Sequence, residues 1–186
     1  MSLTHTWKQI AQRLTLASQS HRAGGERTTV VAFEGLATFF KIENPAEHIQ
    51  GFHLRGSFYE IRQLLAHRDL IPMDSTVVDV GANVGNHTLF YAQHTQAARV
   101  YSFEPNPRAG ALLEQNVAVN QSMKAFVDLS HAGLAIGRER GLMRVENEPV
   151  DNLGGTTLVA TTNPHGAIRV SSLDCPSSDY LRQTAA

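Results

Sequence analysis

The stretch Thr76-Val77-Val78-Asp79-Val80-Gly81-Ala82-Asn83-Val84-Gly85-Asn86-His87-Thr88 decides the fold. Its first five residues are rich in β-branched side chains and apolar on consecutive rather than alternate positions. That pattern predicts a strand covered on both faces, as in a parallel sheet. Gly81 and Gly85 permit positive φ and let a ligand come close to the backbone. Asn83 is the non-glycine residue best suited to a left-handed conformation. Helix-like sequence runs on from Asn86 to Thr95, so its first N–H groups point into the crevice at the carboxyl end of the strand. Ligands of open α/β sheets bind there.

Working outward, Arg99–Phe103 is a second strand and ends in Glu104-Pro105-Asn106-Pro107. Asn106 suits a helix cap and Pro107 a first helical turn, which accounts for that pair. Glu104 needs another explanation. An acid at a strand tip about 20 residues after a glycine turn is the separation at which a carboxylate takes ribose hydroxyls. A helix over 107–120 and a strand over 124–129 complete a strand-helix-strand-helix-strand series, the signature of βαβ units. Upstream, Ile61, Leu64 and Leu65 mark a helix over 58–70. Thr28–Phe33 and Ala37–Ile42 flank Glu34-Gly35 as a hairpin, and Trp7, Ile10, Ala11 and Leu14 predict a helix over 3–18. Beyond Gly133, the pieces 134–136, 142–145, 156–160 and 168–170 are short and β-like, read as an antiparallel insertion. The fold class is therefore α/β, with a helix and hairpin appendage in residues 1–50 and a nucleoside-binding domain in residues 51–186.

Composition narrows the function. The 186 residues carry a formal net charge of -1 with His neutral, which argues against nucleic-acid and anionic-membrane partners. Cys175 is the only cysteine, which excludes an intrachain disulfide and suits a reducing, cytoplasmic setting. The start lacks a signal-peptide pattern, and no apolar run spans a membrane. The nine histidines include no metal-ligand spacing. His87, at the helix start, is read as lining the turn, with a base toward a substrate hydroxyl as the alternative.

The turn also discriminates between cofactors. Dinucleotide sites favour a second glycine where the pyrophosphate passes, and here Asn83 holds that place. Asp79, two residues before the first glycine, suits a ligand bearing an ammonium and a sulfonium better than one with two phosphates. An NAD(P)-dependent oxidoreductase on the same architecture stays open as an alternative.

Val77–Thr88 together with Phe103-Glu104-Pro105-Asn106-Pro107 resembles the FkbM family of class I S-adenosylmethionine-dependent methyltransferases. The resemblance reaches back to Gly56-Ser57-Phe58-Tyr59-Glu60. It reaches forward through Leu112, Asn116, Asn120, Gly133-Leu134-Ala135, Asn152-Leu153-Gly154-Gly155 and Val170 to Leu173-Asp174, roughly positions 50–181. It implies a Rossmann-like sheet, S-adenosyl-L-methionine as cofactor and O-methylation of a small-molecule or glycan hydroxyl. Gly81, Asn83 and Gly85, with Asn86 and Thr88 beside them, would line the methionine portion, with Asp79 acting at its end. Glu104, flanked by Pro105 and Asn106, would hold the ribose, and His131, within 130–132, would border the adenine. The family's next strand, with its acidic motif, has no counterpart after Asp179-Tyr180-Leu181. The resemblance thus implies an incomplete sheet, no assignable catalytic base, a homo-oligomer covering the open edge, and a non-catalytic fragment as the remaining alternative.

Overall fold

The computed structural model describes residues 27–172 apart from residue 122. The helix expected over 3–18, Cys175 and the segment after Ser172 lie outside the described residues. The chain opens with antiparallel β1 (Arg27–Phe33) and β2 (Leu36–Ile42). Glu34 and Gly35 join them with φ of 45° and 84°, the pair of positive angles that a tight two-residue hairpin turn requires. Two helices follow, α1 (His48–Leu54) and α2 (Ile61–Arg68). Then come β3 (Thr76–Val80), α3 (Asn86–His94), β4 (Arg99–Phe103), α4 (Pro107–Ala118) and β5 (Phe126–Asp128). The three strands form one parallel sheet in the order β3-β4-β5, as the sequence predicts, with Asp79 opposite Ser102 and Val80 opposite Phe103.

Helix α3 is buried at every position but His87. A helix buried around most of its circumference belongs between two layers, and α3 lies between the sheet and the hairpin, its buried Thr88 and Gln93 taken up by side-chain hydrogen bonds to Asp79 and Thr38. Leu89, Phe90 and Ala92 share one core with Val100 of β4, Val31, Phe40 and Ile42 of the hairpin, Phe58, and Leu64 of α2. Phe40, Phe58 and Phe90 are fully enclosed, each contributing on the order of 2–3 kcal/mol. The hairpin is thus part of the central core.

Two asparagines one helical turn apart on α4 and its C-terminus seal the outer edge of β2. Asn120 accepts from the Phe39 N–H at 2.9 Å and donates to the Phe39 carbonyl at 2.7 Å, standing in for a strand. Asn116 accepts from the Lys41 N–H at 2.6 Å and donates to the Val84 carbonyl at 2.7 Å, joining the hairpin to the glycine turn.

The last strands are β6 (Leu134–Ile136), β7 (Gly141–Asn147), β8 (Thr157–Ala160) and β9 (Ile168–Ser171), in the order β6-β9-β7-β8. This sheet is mixed rather than antiparallel throughout, because β6 runs parallel to β9 while β7 is antiparallel to both of its neighbours. Leu134 and Ile136 cover Tyr101 and Phe103 on the far face of β4. They do not reach β3. Val78 and Val80, on the same face, are 47% and 51% exposed, so among the described residues β3 is an outer strand bare on one side. Sequence periodicity predicts cover on both faces. It cannot register that β6 stops at β4.

Candidate functional site

The glycine turn is hung on the tip of β4. The Phe103 carbonyl accepts from the N–H groups of Gly81 at 2.8 Å and Ala82 at 3.0 Å. The Asn83 N–H donates to Glu104 Oε2 at 2.7 Å, and the Gly85 N–H donates to the Ala82 carbonyl at 2.8 Å. Positive φ at Gly81 (79°), Asn83 (50°) and Gly85 (89°) lets these successive amides turn onto one strand end. A Cβ on Gly85 would come within 2.9 Å of Leu113 Cδ1. Glu104 completes the junction, its Oε1 accepting from the Asn106 N–H at 2.7 Å. Burial raises the pKa of the Glu104 carboxyl; the two backbone donors oppose that shift and Asp79 adds to it. Asn106 caps α4 by accepting from Arg108 N at 2.8 Å, and Pro107 follows in the first turn.

This arrangement bears on ligand type. The amides of residues 81, 82, 83 and 85 are all consumed by protein acceptors, and a carboxylate stands beside the third. A pyrophosphate at these four amides would meet the Glu104 carboxylate instead of free N–H groups. A ribose, with hydroxyl donors, finds an acceptor.

A pocket of about 380 Å³ opens beside the turn, lined by His48, Ile49, Tyr59, Glu60, Gly81, Ala82, Asn83, Asn86, His87, Asn152 and Gly154. That is within the range of about 300–1,000 Å³ for small-molecule sites. Of the residues singled out from sequence around the turn, Gly81, Asn83, Asn86 and His87 line it. Gly85, Thr88, Glu104, half-buried Pro105, Asn106, Asp79 and His131 do not. Asp79 faces away, into the layer beneath α3. Its Oδ2 accepts from Thr88 Oγ1 at 2.6 Å, and Ser102 Oγ lies 2.9 Å from the same hydroxyl. With its single proton given to Asp79, the Thr88 hydroxyl accepts from Ser102. Burial pushes the Asp79 carboxyl above the usual carboxylate range, against the Thr88 donor and the nearby His87. His131 is buried beyond Glu104, its ring centroid 4.6 Å from that of Phe103 and its Nδ1 2.9 Å from Ser130 Oγ. Asp128 Oδ1 accepts from Ser130 Oγ at 2.6 Å, so the serine proton goes to the aspartate and His131 Nδ1 is the donor.

Three parts of the wall are fixed by contacts between distant residues, and of these the helix α1 has no counterpart in the sequence reading. The first is α1, seven residues with Gly51 at its centre, a weak helical signal. Its start is fixed by Glu47, which accepts from Gln50 N at 2.8 Å. The second is the turn Asn152–Gly155. The other Glu47 oxygen accepts from Leu153 N at 3.3 Å, and Leu153 is buried among Ile49, Val84, Ala109 and Leu112. Gly154 lies so close to Asn83 that a Cβ would stand 3.2 Å from its Nδ2. The third is Tyr59-Glu60, held by the Asn86 side chain. Asn86 Oδ1 accepts from Tyr59 N at 2.9 Å and from His53 Nε2 at 2.9 Å, and its Nδ2 donates to the Tyr59 carbonyl at 3.0 Å. Among the described residues no group of three or more His, Cys, Asp or Glu is placed to hold a metal ion, and no helix is long and apolar enough to cross a membrane.

Comparison with known proteins bears on the same region. Residues 62–132, from α2 to just past β5, match the TRM5/TYW2 methyltransferase domain. The chain is also similar to the AMB antimetabolite synthetase AmbE of Pseudomonas aeruginosa, at 30% identity over 128 residues, 62% of this chain. It spans 6% of that protein's length. The sheet, the glycine turn and the strand-tip acid all lie within the matched span, and the chain carries a methyltransferase-like domain of mixed α/β structure.

Proposed function

We propose that the chain is an S-adenosyl-L-methionine-dependent methyltransferase of FkbM type, built on a Rossmann-like class I sheet, that methylates a hydroxyl of a small molecule. The observation that carries the reading is the 2.7 Å bond between the Asn83 N–H and Glu104 Oε2, which joins the turn and the ribose-type acid at one mouth of the sheet. The residues present fit such a cofactor. Asn83 Oδ1 is buried without a partner beside the pocket, an acceptor with capacity to spare. Each Glu104 oxygen has one backbone donor and a second lone pair with which to accept. The carboxylate of Glu104 beside the Asn83 amide, and the engagement of the amides of Gly81, Ala82 and Gly85, disfavour the dinucleotide alternative.

In this reading Glu104 accepts from the ribose hydroxyls, and the backbone at Gly81 passes close to the amino-acid tail. The segment at Ser130 and His131 borders the base. The bound cofactor would supply an electrophilic methyl group. The chain's own part is to orient the acceptor and exclude water, which for such displacements is worth several kcal/mol. Leu153, packed into the core, holds the Asn152–Gly155 turn over the pocket for that purpose. The likeness to a stretch of an antimetabolite synthetase favours a small-molecule acceptor over a glycan.

Calorimetric titration with S-adenosylhomocysteine tests the reading. Wild-type chain binds, and Glu104→Ala weakens binding by about tenfold or more, the effect of losing charge-assisted hydrogen bonds. Binding of NAD(H) in its place, or equal affinity in the variant, refutes the assignment.

A further inference from the structure

We propose that Glu60 is the acid that receives the ammonium of the cofactor's amino-acid tail, the role that the sequence pattern assigns to Asp79. The inference rests on the cofactor reading above and deepens it by naming the residue that selects for the tail.

Among the described residues that line the pocket, Glu60 is the one Asp or Glu. Asp79 is turned into the layer below α3 and spends Oδ2 on Thr88. A buried carboxyl drifting toward its neutral form is a poor partner for a cation. The Glu60 side chain is 35% exposed, so a ligand reaches it without rearrangement. It lies across from His87, with Oε2 at 3.5 Å from Nε2, and the Gln63 amide, turned so that its nitrogen faces the carboxylate, brings that nitrogen to 3.1 Å from the same oxygen.

The backbone strengthens the case. Glu60 sits at φ 56° and ψ 33°, a left-handed conformation costly for a residue with a Cβ. It precedes α2 yet makes no side-chain capping bond, the usual reason for a polar residue there. Asn86 instead clamps Tyr59 through both its N–H and its carbonyl, fixing the chain so that Glu60 faces the pocket. The Glu60 carbonyl accepts from the N–H groups of Gln63 and Leu64 and so starts the helix, while its strained backbone leaves the carboxylate outside the cap.

Location supplies the last link. Along the turn, Glu104 touches residue 83 and Glu60 faces residue 87. A ligand whose ribose meets Glu104 and whose tail runs past the turn toward the start of α3 ends at Glu60.

Two probes separate this inference from the reading beneath it. S-adenosylhomocysteine carries the amino-acid tail, and 5′-deoxy-5′-methylthioadenosine keeps the nucleoside without it. Glu60→Gln weakens S-adenosylhomocysteine by about tenfold or more and leaves methylthioadenosine unchanged in calorimetry on the full chain. Glu60→Asn, which removes the charge but suits the left-handed backbone, gives the same result if folding is not the cause. Unchanged affinity for S-adenosylhomocysteine in both variants, with wild type binding it, overturns the role of Glu60 alone. Equal weakening of both probes also overturns it, by showing a general loss of the pocket. Failure of wild type to bind either probe removes the cofactor reading and this inference together.

Discussion

His53 and Asn86 show how single side chains hold the wall of the pocket. His53 is fully buried, stacked on Phe40 with ring centroids 3.7 Å apart, and gives its Nε2 proton to Asn86. Its Nδ1 is enclosed without a partner, so a second proton there would be an orphan donor. Burial accordingly lowers its pKa from 6.5 to about 4. The unfolded chain binds this proton more readily, so stability is complete above pH 6.5 and falls as pH drops toward 4, by about 3 kcal/mol from this group. Asp79 and Glu104, both raised, work in the opposite direction. The diagnostic is therefore the difference between wild type and His53→Phe in urea unfolding across pH 4–7. The variant loses the His53 part of the acid slope, and parallel curves count against the assignment. Asn86→Ala strips partners from His53 and from both backbone groups of Tyr59, and is expected to cost about 2–4 kcal/mol in the same assay.

Beyond the shared apolar core, elements are joined by single carboxylates and amides that serve two partners at once. Glu47 fixes the start of α1 with one oxygen and the Asn152–Gly155 turn with the other. Glu47→Ala leaves two amides short of an acceptor. The expected loss is about 1–3 kcal/mol in unfolding, accompanied by faster proteolysis within residues 148–156. A variant whose turn stays as resistant as wild type shows that Leu153 alone anchors it. Gly154→Ala tests the same junction from the ligand side, because the new methyl presses on Asn83. S-adenosylhomocysteine affinity then drops with little change in stability.

The same elements show what was legible beforehand. The parallel sheet, α3, α4 and the meeting of Glu104 with the turn follow from β-branched runs, a cap and glycine spacing, all local signals. The facing of Asp79 is not local. Its neighbours are set by register with Ser102 and by Thr88 on a crossing helix. Sequence marks Glu60 within the stretch 56–60 but not its backbone angle, which is imposed by an asparagine 26 positions later. Helix α1, short and interrupted by Gly51, owes its existence to tertiary packing.

At the scale of the molecule, the sheet is covered unevenly. Among the described residues, one face carries α3 and the hairpin, and the other is covered at β4 but leaves Val78 and Val80 of β3 open. An outer strand with exposed valines invites pairing with another chain. Light scattering is expected to report a species larger than one chain, reduced to a monomer by Val80→Lys. A wild-type monomer at high concentration refutes self-association through this face.

The Asn116 side chain has a consequence for motion. Because one carboxamide holds both the Lys41 amide and the Val84 carbonyl, an opening of the hairpin that frees one end also loosens the other. Amide hydrogen exchange at Lys41 and at the residues flanking Val84 is then expected to share one opening free energy, and ligand in the pocket would slow exchange in a strand it never touches. In Asn116→Ala the two sites would exchange independently.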